Sequence, residues 1–455
     1  MNDSSYDFLI IGGGQAGIPL AQALAKAGRR VALAERKHLG GSCVNFGCTP
    51  TKAVLASARV AQLARRGAEF GLEIPEVRVN FGAVLKRAKD ILMESRSGLE
   101  KSMAGDNPKL LRGHARFTGK AAGGFRLRVG EQEVSAQQVV VNTGTRDLVP
   151  RVEGLGDIEI IHAGNWLEQD RLPEHLVVMG GGYIGVEMSQ FYRRMGSRVT
   201  VVEGNRQILG HEDEEVAEAL RRLLEAEGVT FKLGAKVARV ARDGEGIRVA
   251  LEGDQAIDAS HLFVATGRKP NTDDLGLGTV GVKITDKGIL EADERLATNV
   301  PGIWAAGDVR GGPMFTHTAY HDYRVLESQL LEGGARTTNR VVPYAVFTDP
   351  ELGRVGMTEG EAREAGKRVK VARYEMKKNG KAREIGESEG FIKVIAEEGG
   401  NNILGAAVLA AEGAELVHMY IDLMNAGAPY TVIQNALHIH PTLAEAVQSA
   451  LGEFA

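Results

Sequence analysis

The 455-residue chain carries a net charge of −4 at neutral pH, with basic and acidic side chains interleaved along its length, which speaks against a nucleic-acid-binding face or a polybasic membrane patch. At about 150 residues per domain the length implies about three domains, and the 58 glycines, set in short runs beside Val/Ile/Leu segments, imply many tight strand-to-helix turns. The longest run of apolar residues and glycine, Leu176 to Val186, is too short to span a bilayer, and residues 1 to 12 enter a strand pattern with no basic n-region, so a cytoplasmic protein acting on small molecules is expected.

Tyr6 to Ile11 is strongly apolar with little alternation, as a parallel strand buried on both faces requires. Gly12-Gly13-Gly14-Gln15-Ala16-Gly17 follows, then a helical stretch from Ala16 to Gly28 and a strand from Arg30 to Ala34 that ends at Glu35. In such a strand, turn and helix, Gly12 permits the tight turn, Gly14 lets the backbone approach a pyrophosphate, and Gly17 lets helix and strand pack closely. The helix N-terminus favours the phosphate charge, and Glu35 would accept hydrogen bonds from ribose hydroxyls.

The only two cysteines both lie in the next stretch, GGSCVNFGCTPTK (residues 40–52). A structural disulfide is disfavoured in a reducing cytosol, so Cys43 and Cys48 read as catalytic, metal-binding or simply buried. Residues five apart in a regular helix sit about 7.5 Å apart along its axis and about 140° apart around it, so the pair cannot close inside an undistorted helix. Gly40, Gly41 and Gly47 allow a loop that bends back, and Pro50 suits the first turn of a helix running through Ala53 to Ala64. Cys48 then sits near a helix N-terminus with Lys52 close by, and both lower a thiol pKa, which suits thiol–disulfide exchange. A zinc site would want a second cysteine pair, and none exists.

The first pattern then recurs. Leu176 to Met179 leads into Gly180-Gly181-Gly182-Tyr183-Ile184-Gly185, a helix to Gly196, and a strand from Ser197 to Val202 that ends at Glu203. Each acidic residue lies 23 positions after the first glycine of its motif. One such motif is weak evidence; two in the same strand–helix context are strong. Two bound dinucleotides imply electrons passing from one to the other. VVVNTGT (139–145), LFVATGR (262–268) and GIWAAGD (302–308) are strand-then-turn stretches that close their segments in matching order. Further on, Pro343 to Thr348, Phe391 to Ala396 and Ile403 to Leu409 read as strands, and Gly413 to Asn425 and Leu443 to Leu451 as amphipathic helices.

Taken together, GGSCVNFGCTPTK, the two glycine motifs, GIWAAGD and LHIHPTLAEAV resemble the class I pyridine nucleotide-disulfide oxidoreductases over essentially the whole chain. The resemblance implies an α/β fold: two Rossmann-like domains, for FAD and NAD(P), plus an α+β dimerisation domain. Residues 1–150 and 271–340 would form the FAD domain in two parts, 151–270 the NAD(P) domain, and 341–455 the interface domain. FAD would lie along Gly12, Gly14, Gly17, Glu35, Gly41, Ser42, Lys52, Ala115, Thr143, Gly144, Asp308 and Met314, Phe315 and Thr316. The nicotinamide cofactor would lie along Gly180, Gly182, Tyr183, Gly185, Glu203 and Gly267, with Tyr183 as a gate over the flavin ring. Lys52 and Glu187 resemble the ion pair beside the flavin N5. Hydride would pass from nicotinamide to flavin and two electrons on to a Cys43–Cys48 disulfide, with Cys48 facing the flavin and Cys43 attacking the substrate. His440 and Glu445 resemble an acid/base dyad lent by the partner subunit, which implies a homodimer. His438, two positions before His440, offers it a partner for a metal pair, but no metal site is expected.

Glu203 favours NADH, because a carboxylate there accepts from the 2'-hydroxyl and repels a 2'-phosphate; Arg206 keeps NADPH open. TPTKAVLASARVAQLARR and MSQFYRRMGSRVTVVE look closest to mercuric-reductase-like proteins, implying a disulfide or a metal ion as electron acceptor. Mercuric reductases also carry a C-terminal cysteine pair and often an N-terminal metal-binding domain; this sequence ends SALGEFA and shows neither. Dihydrolipoyl dehydrogenase is the rival, supported by GYIGVE, Glu203 and HPTLAE. From another class, a non-catalytic flavoprotein redox sensor stays open, against which stand the thiol pair, Lys52/Glu187 and His440/Glu445 together.

Overall fold

Continuous apolar runs become central strands where both faces are covered. In the computed structural model, which describes residues 4–253 and 255–454, β1 (Ser5–Ile11) is flanked by β2 (Val31–Glu35) and by Gln132–Val141, both parallel to it. Lys109–Arg112 extends the sheet beyond β2. Gln132–Val141 changes partner along its other edge. Its first half runs antiparallel to Gly124–Val129, whereas Val139–Val141 runs parallel to Ile303–Ala305. The distant GIWAAGD strand therefore enters this sheet beside the first glycine turn. α1 (Gly17–Lys26) returns the chain to β2 and buries Ile18, Leu20, Ala21 and Leu24, an apolar stripe at helical spacing.

The second unit repeats this plan. Its parallel sheet runs Val229–Leu233, Arg198–Glu203, His175–Met179, His261–Val264, Ile161–His162. A separate antiparallel sheet, Val237–Asp243, Gly246–Leu251 and Ala256–Ala259, covers part of it. The chain leaves the first unit along Thr145–Asp147 and returns along Arg268–Pro270, and these two short strands pair antiparallel.

The third unit is an antiparallel sheet ordered Tyr344–Val346, Glu351–Gly356, Ile403–Ala410, Phe391–Glu397, Val369–Glu375. Helices carrying Tyr420, Ile421, Val447 and Leu451 close its core. The single helix expected from Gly413 to Asn425 is two, Gly413–Leu416 and His418–Asn425, because the backbone tightens to an i→i+3 bond from Tyr420 N to Val417 O. Among the described residues no helix is long and apolar enough to cross a membrane.

Candidate active site

The two glycine turns have the same build. A Cβ on Gly12 would stand 2.2 Å from Asn142 O, and one on Gly180 2.5 Å from Ala265 O; both residues also have positive φ, +107° and +110°. Only glycine suits these positions. A Cβ on Gly17 would meet Gly12 O at 2.1 Å and one on Gly185 would meet Gly180 O at 2.0 Å, so the third glycine lets each helix seat on its own turn. Glu35 accepts from Gly13 N (2.9 Å) and Lys37 N (2.7 Å), and Glu203 accepts from Gly181 N (2.6 Å) and Asn205 N (2.8 Å). Each carboxylate keeps lone pairs for a further donor. α1 has no acidic residue in its first turn, and its first amides are already bonded, Gly17 N to Asn142 Oδ1 and Ile18 N to Gly14 O, so what it turns towards an anion is the positive end of its dipole.

A cleft of about 1070 Å³ opens beside the first turn. Gly12, Gly14, Glu35, Gly41, Ser42, Ala115, Thr143, Gly144, Asp308, Met314, Phe315 and Thr316 all line it, together with Cys43, Cys48, Lys52, Tyr183 and Glu187. Its size, its glycine wall and the uncharged first turn of α1 beside it fit FAD. When bound, FAD supplies a carrier that accepts a hydride and yields two electrons.

The thiol stretch folds as two helices rather than a loop. α2 (Gly41–Asn45) holds Cys43, and α3 (Cys48–Arg65) begins with Cys48. The break at Phe46 and Gly47 brings the two sulfurs together, and a side chain at Gly47 would press within 2.9 Å of Ser42 O. Asn45 braces the turn through Leu39 O and Gly41 O, and Arg96, on α4 (Phe81–Ser102), holds Asn45 Oδ1 with two hydrogen bonds. Both thiols are free. The hydrogen bond from Cys43 is the largest influence lowering the Cys48 pKa, to about 6; Thr316 and Lys52 add to it, against burial. The same bond, with burial, pushes the Cys43 thiol far up. The pair is thus polarised, with Cys48 favoured as the thiolate and Cys43 favoured to keep the proton.

Four residues after Cys48, Lys52 donates to Glu187 Oε2 at 2.9 Å, and Glu187 is nearly fully buried on α5 (Tyr183–Met195). Glu187 Oε1 accepts from Phe347 N at 2.9 Å. Tyr183 packs on Phe315 with ring centroids 5.9 Å apart, and burial raises its pKa to about 12, so it stays neutral. Phe315 also stacks against Tyr344 and His317. Tyr344 donates to Glu212, which pairs with the buried Arg354 of the third unit.

Several supporting residues escaped the sequence reading. Asn142 Oδ1 accepts from Gly17 N (3.0 Å) while its Nδ2 donates to Ala306 O (2.8 Å), tying the first glycine motif to GIWAAGD. A polar side chain at the end of a buried apolar strand was the available signal. Asp322, 1% exposed, accepts from Gly307 N and from Arg310, and so fixes the turn that carries Asp308. Thr316, expected along the cofactor, also reaches Cys48 Sγ.

The predicted residues do not form one cluster. Gly180, Gly182, Gly185, Glu203 and Gly267 lie at the second glycine turn, outside the cleft lining, and Gly17 stands behind it. His440 and Glu445 pair at 3.0 Å on the third unit, His440 largely exposed, and neither lines the cleft. Among the described residues no group of three or more His, Cys, Asp or Glu is placed to hold a metal.

Residues 6–322 match the family described as pyridine nucleotide-disulphide oxidoreductase, and residues 342–451 match its dimerisation domain. A dihydrolipoyl dehydrogenase of Cupriavidus necator is 33% identical over 98% of this chain and 97% of its own. A mercuric reductase of Streptomyces lividans is 33% identical over 99% and 96%. The solved structure of the Escherichia coli HOCl-induced flavoprotein disulfide reductase RclA, a Cu(II) complex, superposes with a TM-score of 0.90 at 32% identity, covering 98% of this chain and 99% of that one. With both glycine turns, the thiol pair and a dimerisation domain in register, this chain belongs to the pyridine nucleotide-disulphide oxidoreductases, FAD-dependent enzymes that work with NAD(P)H.

Proposed function

We propose that this chain uses NADH to reduce a disulfide or a metal ion through Cys43 and Cys48, as a homodimer in a reducing cytosol. The observation that carries this reading is the polarised thiol pair: Cys48 is held as thiolate by Cys43, Thr316 and Lys52 at the wall of the cleft that fits FAD, and Cys43 keeps a proton. With a disulfide acceptor, Cys43 loses its proton to His440 of a second copy and attacks one acceptor sulfur. The acceptor S–S bond breaks, and its departing thiolate takes a proton back from His440. Cys48 then attacks Cys43, the Cys43–Cys48 bond forms, and the second acceptor thiolate leaves, taking a proton from solvent. Glu445 holds the imidazole through Nδ1. The exposed Leu437 and Ile439 beside His440 suit burial against a second copy.

A metal-ion acceptor is the second reading, favoured by the likeness to the mercuric reductase and to the Cu(II) complex of RclA. Lipoamide chemistry is the third. Anaerobic NADH titration is the deciding experiment, followed by dihydrolipoamide with NAD and, separately, by Hg(II) or Cu(II) with NADH. A red-orange two-electron form with little lipoamide turnover supports the proposal. Rapid NAD reduction by dihydrolipoamide moves the chain to the dehydrogenases. Simple bleaching by NADH, with no thiol signal, makes it a flavoprotein without disulfide chemistry.

A further inference from the structure

The Lys52–Glu187 pair has a third member. Phe347, on the segment after the first strand of the third unit, lines the cleft and places its ring 4.2 Å from Lys52 Nζ. The backbone N–H of the same residue donates to Glu187 Oε1 at 2.9 Å. One residue of the third unit thus touches both charges, which come from α3 and α5. A cation over an aromatic face is attracted by the ring's negative centre, and the attraction grows as water is removed. Lys52 is two-thirds shielded and Glu187 almost fully buried, so this contact operates at reduced dielectric. An aliphatic side chain at 347 would fill the space but offer no negative face.

We propose that Phe347 is a positioning residue whose ring holds the Lys52 ammonium against Glu187 and beside the thiol helix. The inference rests on the disulfide-reductase reading of this cleft. Lys52 is one turn along α3 from Cys48, and its charge favours the Cys48 thiolate. The groups facing Cys48 are Cys43 from α2, Lys52 from its own helix, Tyr183 from α5, and Thr316 from the helix Thr316–Leu331. Of these, Lys52 is the group that lies over the Phe347 ring. Side-chain substitution at 347 leaves the backbone bond to Glu187 available, so the ring contact can be varied alone.

The test replaces Phe347 in the holoenzyme by phenylalanines carrying one, two and three ring fluorines, which keep the shape while draining the negative face, with F347W and F347L alongside. Ionisation of Cys48 is read twice across pH: from the long-wavelength absorbance of the reduced protein, and from the rate of iodoacetamide labelling at Cys48 mapped by mass spectrometry. The fluorinated series should lower the Cys48 acid dissociation constant stepwise, by about three-fold or more in total. F347L should match the trifluoro protein, and F347W should stay near wild type. A flat fluorine series, or equal shifts for F347W and F347L, overturns the proposal. Absence of the long-wavelength band in the wild type counts against the disulfide-reductase reading itself, while the labelling rates still decide the role of Phe347.

Discussion

The hydroxyl of Thr316 lies 3.1 Å from Cys48 Sγ, joining the first residue of one helix to the first residue of another. The hydroxyl donates to the thiolate, so it favours the ionised sulfur. Because the folded pKa is depressed to about 6, the thiolate is present above that pH and is lost as pH falls through it. T316V removes the donor, so the midpoint rises and the loss begins at higher pH; T316S should restore it. A pH titration of the reduced protein's long-wavelength absorbance checks this, and an unmoved midpoint in T316V removes Thr316 from the account.

E187Q keeps the shape of the carboxylate but leaves Lys52 without its negative partner. Breaking a buried pair on one side exposes the remaining charge to an uncompensated site. Stopped-flow reduction by NADH should slow by about ten-fold or more, with the thiol pair still titrating. Wild-type reduction rates in E187Q would show the pair to be structural only.

H440Q separates the two half-reactions. Reduction by NADH should proceed at the normal rate, while exchange with a disulfide acceptor falls by about a hundred-fold or more. Since His440 does not line the cleft of its own chain, mixing inactive H440Q and C43S subunits should create one working site per hybrid dimer. Recovery of turnover on mixing is the readout; its absence means the dyad does not act across subunits.

Glu203 spends two of its lone pairs on Gly181 N and Asn205 N, and so holds its carboxylate at the lip of the second glycine turn. E203Q should raise kcat/KM for NADPH relative to NADH by about ten-fold, because the repulsion of a 2'-phosphate is gone. Steady-state kinetics with both cofactors measures this directly.

Arg354 and Glu212 form a fully buried pair that joins the second and third units behind Tyr344. R354M strands the carboxylate and should cost about 3–5 kcal/mol, whereas R354M combined with E212Q should recover most of that loss. Chemical denaturation of the three proteins settles the comparison.

Most of the scaffold was legible because its signals are local. The apolar runs of β1 and His175–Met179 match their strands to within one residue, and the paired glycines mark turns that admit no other residue type. The thiol loop was legible in position but not in form. The glycines suggested a loop that bends back into the helix near Cys48, whereas residues 41–45 form a helix of their own, braced by Asn45 and Arg96, before a sharp break into α3. Asn142, Asp322 and Phe347 left little trace in the sequence because their roles depend on contacts with segments far along the chain: Asn142 with Ala306, Phe347 with Lys52 and Glu187. A side chain that joins distant segments has no periodicity to announce it.

The short ladder between Thr145–Asp147 and Arg268–Pro270 has a topological consequence. Just beyond it Leu148 N donates to Gly267 O at 3.0 Å, so everything between those residues enters and leaves the first unit through one doorway. The second glycine unit is therefore a segment with adjoining ends, held to the rest of the chain also by the Lys52–Glu187 and Arg354–Glu212 pairs. A segment taken from a relative would bring its own residues at 187 and 212, so Lys52 on the thiol helix and Arg354 of the third unit must find their partners in whatever arrives between those two ends.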